Sequence, residues 1–196
     1  MSHPSRPEFW NERYASGKTP WDYGGVPPQL QHYLATRPRG GRALIPGCGT
    51  GHEVAAFHAA GYDVTAIDFA PVAVERARAT LGPLLGERVV LGDFFTYDFA
   101  AAPFDVIYER TFLCALPLDL REKYISRMAA LLAPGGVLVG LFYLGNDLDG
   151  PPYALSAPEE TRLFSPRFVR VRDEPSAQPL PMFGANERWR EYRRVT

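Results

Sequence analysis

The sequence predicts an α/β protein with a doubly wound, mostly parallel sheet of seven strands. Short apolar runs alternate with helical stretches along most of the chain, a pattern typical of parallel strands joined by right-handed helical crossovers. A length of 196 residues fits one domain. The hydrophobic and charged fractions, 46% and 22%, are those of an ordinary globular protein. We therefore expect a single domain over residues 1–196, with a core over 41–196 and a helical lid over 1–40.

The strand candidates are short runs rich in Val, Ile, Leu and aromatic residues, each bounded by Gly, Pro or Asp. They are Arg42–Pro46, Asp63–Ile67, Arg88–Leu91, Phe104–Tyr108, Val137–Phe142, Phe168–Arg172 and Arg188–Val195. In the last candidate, Trp189, Glu191 and Arg193 alternate with Arg190, Tyr192 and Arg194, so both sets contain charged residues. Such charge favours an edge strand, where it guards against unwanted pairing with other chains.

The helix candidates between the strands carry recognisable start and stop signals. Pro71 stands in the first turn of its helix, where a missing N–H costs nothing, and the run Ala133-Pro134-Gly135-Gly136 is a helix stop. Two further short helices precede the first strand, where they could cap the carboxyl edge of the sheet and cover the usual binding crevice. The five candidates are Glu8–Ala15, Pro28–Thr36, His52–Ala60, Pro71–Leu81 and Asp119–Leu132.

Charge balance, cysteine count and the lack of long apolar runs exclude several classes of protein and of partner. The 21 Lys and Arg residues are matched by 22 Asp and Glu residues, so the formal net charge is −1. Without a basic excess, a nucleic-acid partner is not expected. Two cysteines are too few for a disulfide framework, no apolar run reaches the ~20 residues of a membrane helix, and the polar N-terminus lacks the apolar region of a secretion signal. We expect a cytoplasmic monomer that acts on small molecules, with no nucleic acid and no membrane as partner.

The strongest chemical signal is a glycine-rich turn between the first strand and the helix that follows it. Gly47, Gly49 and Gly51 alternate with other residues there, and glycines let the backbone turn sharply and approach a ligand closely. Asp68 ends the second strand, where an acid accepts hydrogen bonds from the two ribose hydroxyls of a nucleoside. Asp93 ends the third strand, where a carboxylate can accept a hydrogen bond from an adenine amino group.

The spacing of this turn distinguishes two nucleoside cofactors. Dinucleotides require a G-x-G-x-x-G turn that holds a pyrophosphate at the helix N-terminus. S-adenosylmethionine has no phosphate, and the G-x-G-x-G spacing with acids after the second and third strands suits it. All three features are present here, which favours S-adenosylmethionine over a plain strand-to-helix turn with surface acids.

Eight stretches of the chain, in order, resemble the thiopurine S-methyltransferase family, and especially its members that methylate small thiols or halide. They are FWNERYASGKTPWDYGGVPPQL, GRALIPGCGTGHEV, TAIDFAPVAVERA, GDFFTYDF, FDVIYERTFLCALPLDLREKY, LLAPGGVLVGLFY, GPPY and GANERWREYRR. The resemblance implies a Rossmann-like fold, S-adenosylmethionine as cofactor, no metal, and methyl transfer to a small soft acceptor such as a thiol, selenol or halide.

The resemblance also implies roles for individual residues. Arg110 is the candidate catalytic residue, because a nearby cation lowers the pKa of a thiol. The thiopurine enzymes place an arginine at this position, whereas the plant halide and thiol enzymes have an aromatic residue, so this chain combines features of both branches. The residues implied to bind cofactor are Trp10, Tyr14 and Trp21 in the lid, Gly47 and Gly49 at the methionine end, Asp68 at the ribose, Asp93 and Phe94 at the adenine, and Glu109 and Arg110 at the junction with the acceptor.

Two alternatives stay open on the sequence. A non-enzymatic sensor that binds S-adenosylmethionine would keep the same cofactor residues, and a small-molecule methyltransferase with an oxygen or nitrogen acceptor would differ only at the acceptor end. An NAD-dependent oxidoreductase is disfavoured by the spacing of the glycine turn. Cys114, in an apolar run after the fourth strand, is expected to be a buried structural thiol.

Overall fold

The computed structural model describes residues 3–99 and 102–195, and a seven-stranded sheet with helices on both faces organises them. The strands are β1 Arg42–Pro46, β2 Asp63–Asp68, β3 Val89–Leu91, β4 Phe104–Arg110, β5 Leu132–Tyr143, β6 Phe168–Pro175 and β7 Glu187–Arg194. The helices are α1 Pro7–Ala15, α2 Pro28–Thr36, α3 His52–Ala59, α4 Pro71–Gly86, α5 Arg121–Leu131 and α6 Ala157–Phe164, with 3₁₀ turns at Leu113–Ala115, Leu118–Leu120 and Gly184–Asn186. None of the helices in these ranges is long and apolar enough to cross a bilayer.

The strand order is β3-β2-β1-β4-β5-β7-β6. The first five strands in this order are parallel, and β7 runs antiparallel to both β5 and β6. The expected doubly wound α/β fold with seven strands is confirmed, as a mixed sheet. The chain winds outward in opposite directions from β1 and β4, and a binding crevice opens at the carboxyl ends of strands at such a point.

The sheet separates two hydrophobic layers. Side chains of adjacent strand residues point to opposite faces, so Leu44 and Ile107 join the layer that contains Tyr124 of α5. Ala43 and Tyr108 join the opposite layer, which contains Phe57 of α3. All six of these side chains are completely buried. The two layers together hold the carboxyl ends of β1 to β4 in fixed positions.

The prediction of an edge strand over Arg188–Val195 is wrong, because β7 lies inside the sheet and β6 forms the edge. Of its charged residues, Glu187, Arg190 and Glu191 are buried, whereas Arg193 is exposed. Glu191 forms ion pairs with Arg37 and with Arg172, and Arg190 forms ion pairs with Glu160 and, at 3.3 Å, with Asp173. Charges can be buried when each has a partner, and the partners come from segments distant in sequence.

Several element boundaries differ from the predicted ones. β4 runs to Arg110, so Glu109 and Arg110 end the strand instead of following it. β5 begins at Leu132, the last residue of the predicted helix, and runs through the predicted helix stop, because Leu132 pairs with Phe104 of β4. Helix α4 continues beyond Leu81 through a bend at Gly82, whose φ is 71°. Helix α6 was not predicted, although Ser156 caps it by accepting a hydrogen bond from the Glu159 N–H.

The N-terminal helices dock on the core. The side-chain oxygen of Asn11 in α1 accepts a hydrogen bond of 3.0 Å from the Val72 N–H. This bond caps α4, whose own N-cap residue, Ala70, has no side-chain acceptor. In α2, the buried Tyr33 ring lies 5.8 Å from that of Trp189. The segment before β1 is therefore attached to the core at two places, and its behaviour as a lid remains a prediction.

Candidate active site

A cavity of about 710 Å³ opens at the carboxyl ends of β1 to β4, beneath the N-terminal segment. Its volume lies within the range of roughly 300–1,000 Å³ that is usual for small-molecule sites. The cavity brings together all the predicted site residues except Glu109. The predicted site residues that line the cavity are Trp10, Tyr14, Trp21, Gly47, Gly49, Asp68, Asp93, Phe94 and Arg110.

The glycine turn gives the cavity a floor of bare backbone. Gly47 has a φ of 60° and Gly49 a φ of 53°, a left-handed conformation that side chains disfavour. A Cβ on Gly47 would lie 2.5 Å from the Phe112 ring, and one on Gly49 would lie 2.8 Å from the Tyr14 hydroxyl. Glycine is therefore required at both positions for conformational and for steric reasons.

Asp68 lies at the end of β2 and holds this turn in place. Its Oδ2 accepts a hydrogen bond of 2.9 Å from the Gly49 N–H, and its Oδ1 accepts one of 2.9 Å from the Ala70 N–H. Burial raises the pKa of Asp68, and these backbone donors oppose the shift. An ionised carboxylate has about four lone-pair sites, so two remain for the hydroxyls of a ribose.

The predicted adenine end contains an additional aromatic residue. Phe94 is buried in the core, with its ring 5.4 Å from that of Phe112. Asp93 is exposed and accepts a hydrogen bond of 2.8 Å from the Phe95 N–H. Phe95 also lines the cavity, and Lys123 Nζ lies 4.9 Å from its ring centroid. Phe95 was not among the predicted cofactor-binding residues. The two adjacent aromatic residues after Asp93 were the signal in the sequence that could have identified it.

Arg110 brings a buried cation to the cavity. Its Nη1 and Nη2 atoms have no hydrogen-bond partner among the residues that the structure describes. The guanidinium carbon lies 5.0 Å from the Tyr23 ring centroid. Buried guanidinium groups are nearly always hydrogen-bonded, so these atoms mark a place for a polar or anionic ligand group.

Two further polar side chains surround Arg110 and were not singled out from the sequence. Glu53, in the first turn of α3, is buried in the cavity wall; burial raises its pKa, and the Arg110 charge opposes this shift. Tyr108 lies two residues before Arg110 on the same face of β4. Burial and the Glu53 carboxylate raise the pKa of Tyr108 well above its usual range. The signal for Glu53 was its position two residues after the last glycine of the turn.

Glu109 does not line the cavity, contrary to what the resemblance implied. It points to the opposite face of β4 from Arg110, since adjacent strand residues alternate. Its Oε1 accepts hydrogen bonds of 2.9 Å from both the Phe112 and Leu113 N–H groups, and its Oε2 accepts one from the Tyr124 hydroxyl. Glu109 therefore supports the turn that carries Phe112 against Gly47.

The three aromatic residues of the expected lid form one cluster. The Trp21 ring lies 5.4 Å from that of Trp10 and 5.9 Å from that of Tyr14, with edge-to-face geometry in both pairs. Tyr14 is buried, and burial raises its pKa well above the usual range. The cluster packs on Ala70 and Ala73 while lining the cavity, so its residues serve both the core and the site.

The fold is Rossmann-like, and solved methyltransferases share it. Two solved structures have the same fold. A *Burkholderia thailandensis* 1,6-didemethyltoxoflavin-N1-methyltransferase, solved with 1,6-didemethyltoxoflavin and S-adenosylhomocysteine bound, matches with a TM-score of 0.77 and 23% identity over 100% of this chain and 92% of its own. Magnesium protoporphyrin IX methyltransferase from *Synechocystis* PCC 6803, solved with bound S-adenosylmethionine, matches with a TM-score of 0.75 and 15% identity over 100% and 99% of the chains.

Sequence comparison identifies the family. The thiopurine S-methyltransferase family model matches residues 5–183. A probable thiol methyltransferase 2 of *Arabidopsis thaliana* is 36% identical over 80% of this chain and 71% of its own length. Thiocyanate methyltransferase 1 of the same plant is 32% identical over 87% and 78%. A thiopurine S-methyltransferase of *Vibrio parahaemolyticus* is 31% identical over 81% of each. The chain belongs to the thiopurine S-methyltransferase family.

Proposed function

We propose that this enzyme transfers the methyl group of S-adenosylmethionine to the sulfur of a small thiol or thiol-like anion. The buried guanidinium of Arg110 at the end of β4, whose Nη1 and Nη2 atoms have no hydrogen-bond partner among the described residues, carries this proposal. A guanidinium attracts an anionic sulfur and stabilises it relative to the protonated thiol. The names of the three relatives, which specify a thiol, thiocyanate and thiopurine, support a sulfur acceptor.

The residues of the cavity fit the cofactor. We assign the methionine end to the backbone of Gly47 and Gly49, and the ribose to the free lone pairs of Asp68. Asp93 would accept a hydrogen bond from the adenine amino group, with Phe95 beside the ring. Trp10, Tyr14 and Trp21 would cover the cofactor from the N-terminal side. Once bound, the cofactor supplies an electrophilic methyl group on a positively charged sulfur.

The acceptor would bind between Arg110 and the apolar wall opposite the glycine turn. That wall contains Tyr23, Cys114, Leu116, Pro152, Met182 and Phe183. Arg110 holds the acceptor sulfur as a thiolate, so no side chain needs to remove a proton during the transfer. An apolar wall keeps water from the anion, and the fixed position of the acceptor supplies much of the remaining rate enhancement.

The two cysteines of the enzyme also line this cavity, and their environment keeps them from acting as acceptors. Cys48 and Cys114 are buried free thiols. Burial raises the pKa of both, and the thiolate is the nucleophilic form of cysteine. Both groups therefore stay protonated at neutral pH, which leaves the small acceptor as the reactive sulfur.

The replacement Arg110→Met tests the proposed function. We expect the rise of activity with pH to move upward for a thiol acceptor, because the cation that lowers the thiol pKa is lost. Iodide methylation should stay nearly independent of pH, because iodide has no proton to lose. Initial rates for both acceptors between about pH 6 and pH 10 measure this difference. Arg193→Met, a change at an exposed arginine of β7, is the matched control and should behave as the wild type.

Three results would contradict the proposed function. One is an unshifted thiol profile in Arg110→Met. Another is a higher specificity constant for iodide than for every thiol tested. The third is tight cofactor binding without turnover of any thiol, selenol, halide or thiopurine, which would favour a sensor or a methyltransferase for oxygen or nitrogen acceptors.

A further inference from the structure

Residues 17–25 form a strap across the cavity. Gly17 and Gly24, near its two ends, have φ values of 70° and 73°, and a Cβ at either position would meet no atom within 4 Å. These glycines therefore serve the conformation of the backbone rather than packing. The strap residues that line the cavity are Lys18, Pro20, Trp21, Asp22, Tyr23 and Gly25.

The carboxylate of Asp22 ties the strap to the start of α3. Its Oδ2 accepts a hydrogen bond of 2.9 Å from the Thr50 hydroxyl, and its Oδ1 lies 3.1 Å from His52 Nε2. Oδ1 also accepts a hydrogen bond of 2.8 Å from the Gly24 N–H, within the strap. Thr50 and His52 flank Gly51, so this one side chain joins the strap to the glycine turn.

The residues on either side of Asp22, Trp21 and Tyr23, both line the cavity and both pack against the cluster of Cys114, Leu180 and Phe183. Trp21 belongs to the aromatic cluster over the proposed cofactor end. Tyr23 lies against Arg110 at the proposed acceptor end, and its hydroxyl donates a hydrogen bond to the Gln178 side chain. A shift of Asp22 would therefore move Trp21, which contacts Trp10 and Tyr14, together with Tyr23, which contacts Arg110.

An isolated ion pair at the surface would contribute little to the free energy of unfolding. Asp22 and His52 are mostly shielded, with side-chain exposures of 22% and 27%. The Asp22 carboxylate also contacts three groups rather than one. Thr50 lies on the glycine turn, His52 begins α3 and Gly24 lies on the strap itself, which is the arrangement needed to transmit a displacement between the turn and the strap.

We propose that Asp22 is a positioning residue that couples the cofactor site to the acceptor site. Through Thr50 and His52 it links the glycine turn to the strap, and through the strap it sets the position of Tyr23 against Arg110. Cofactor binding then favours closure over the acceptor, and by thermodynamic linkage closure favours cofactor binding equally. The role in catalysis rests on the proposed methyl transfer, whereas the link between cofactor and strap does not.

Hydrogen exchange tests this link without any turnover. In the wild type, S-adenosylhomocysteine should slow exchange over residues 17–25, including the Asp22 N–H, which donates to the Thr19 carbonyl. In Asp22→Ala this protection should be largely lost, because the strap loses its contacts with Thr50 and His52. Asp63→Ala is the control. It removes the exposed ion pair between Asp63 and Arg88, at the first residue of β2 and away from Asp68 at the other end of that strand. Its strap should keep the full protection from exchange.

Steady-state kinetics test the catalytic part. Asp22→Ala should lower kcat/KM for the thiol acceptor about tenfold, mainly by raising KM, in line with usual coupling between sites. Asp22→Asn keeps an oxygen for the Gly24 N–H and an amide that can donate to Thr50, so it should recover part of the loss. Combining Asp22→Ala with His52→Ala should cost less than the product of the single effects, since both remove the same contact.

The outcomes separate the two proposals. Unchanged exchange protection in Asp22→Ala, with kcat/KM within about twofold of the wild type, overturns the role of Asp22. Full additivity of Asp22→Ala and His52→Ala also overturns it. If the wild type methylates no acceptor, the proposed function fails while the exchange experiment still decides the link. Should Asp22→Ala not fold, Thr50→Val and His52→Ala remove the same contacts from the other side and carry the same test.

Discussion

At the scale of single residues, Asp68 shows how one side chain can serve both the fold and the ligand. Its two oxygens accept hydrogen bonds from the Gly49 and Ala70 N–H groups, which fixes the turn after β1 beside the end of β2. The same carboxylate faces the cavity and keeps lone pairs for a ligand. An acid at this position is thus held rigidly before any cofactor arrives, which reduces the ordering that binding requires.

Replacing Asp68 should therefore weaken cofactor binding strongly. Loss of a charged hydrogen-bond partner costs about 1.5–3 kcal/mol, so Asp68→Ala should reduce the affinity for S-adenosylhomocysteine more than tenfold in calorimetry. Asp63→Ala, at the other end of the same strand, is the matched control. An unchanged dissociation constant in a folded Asp68→Ala protein would refute the assignment.

At the scale of elements, the end of β4 and the turn after it act as one unit. Arg110 faces the cavity, while Glu109 faces the core and accepts hydrogen bonds from the Phe112 and Leu113 N–H groups. Burial raises the pKa of Glu109 to about 7, an effect only partly opposed by its hydrogen bonds from Tyr124 and the backbone. The residue that supports the active-site turn therefore changes charge near neutral pH.

This raised pKa predicts a specific dependence of stability on pH. The folded protein holds the Glu109 proton up to about pH 7, whereas the unfolded chain releases it near pH 4.5. The stability from this proton is therefore complete below about pH 4.5 and is lost as pH rises through 7. The free energy of unfolding lost over this pH range is on the order of 3 kcal/mol. Relative to Glu109→Gln, which cannot titrate, the wild type should lose free energy of unfolding between pH 5 and pH 8.

Urea unfolding of both proteins at several pH values measures this difference. Glutamine at position 109 keeps an oxygen for the Phe112 and Leu113 N–H groups, so its fold should be retained. A difference between the two proteins that stays constant from pH 5 to pH 8 would show that Glu109 does not titrate in this range.

At the scale of the whole molecule, the segment before β1 is attached to the core at separate points. Asn11 caps α4, and Arg37, just after α2, forms an ion pair with the buried Glu191 of β7. The strap of residues 17–25 lies between these attachments. Motion of the N-terminal segment is therefore expected in the strap, whereas α1 and α2 remain attached to the core.

The attachment at Arg37 should contribute measurably to stability. Arg37→Ala leaves the Glu191 carboxylate buried with Arg172 and the Trp189 indole N–H as its remaining partners, both at 3.4 Å. Loss of a hydrogen bond to a buried charge costs about 1.5–3 kcal/mol, and thermal or urea unfolding would detect such a loss. Arg39→Ala, two residues away at an exposed position, should change stability by less than about 0.5 kcal/mol; equal effects of the two changes would refute this role for Arg37.

The sequence by itself determined the α/β class, the glycine turn and the acids at the ends of β2 and β3. These signals are local: a strand has a period of two, a left-handed turn requires glycine, and an acid that ends a strand marks the edge of the sheet. Resemblance over nearly the whole chain then added Arg110 and the aromatic residues of the expected lid. Each of these inferences needs only neighbours in sequence or a match to known stretches.

Only the tertiary structure decided which way Glu109 faces, where β7 lies and what Asp22 contacts. Glu109 and Arg110 are adjacent in sequence, and the packing of β4 between two layers sends one to the core and the other to the cavity. The charge of β7 suggested exposure, but Arg37, Glu160 and Asp173 reach it from distant segments and allow its burial. Asp22 meets Thr50 and His52 only because the fold brings the strap over α3. Contacts of this kind depend on long-range geometry, which no local pattern of residues encodes.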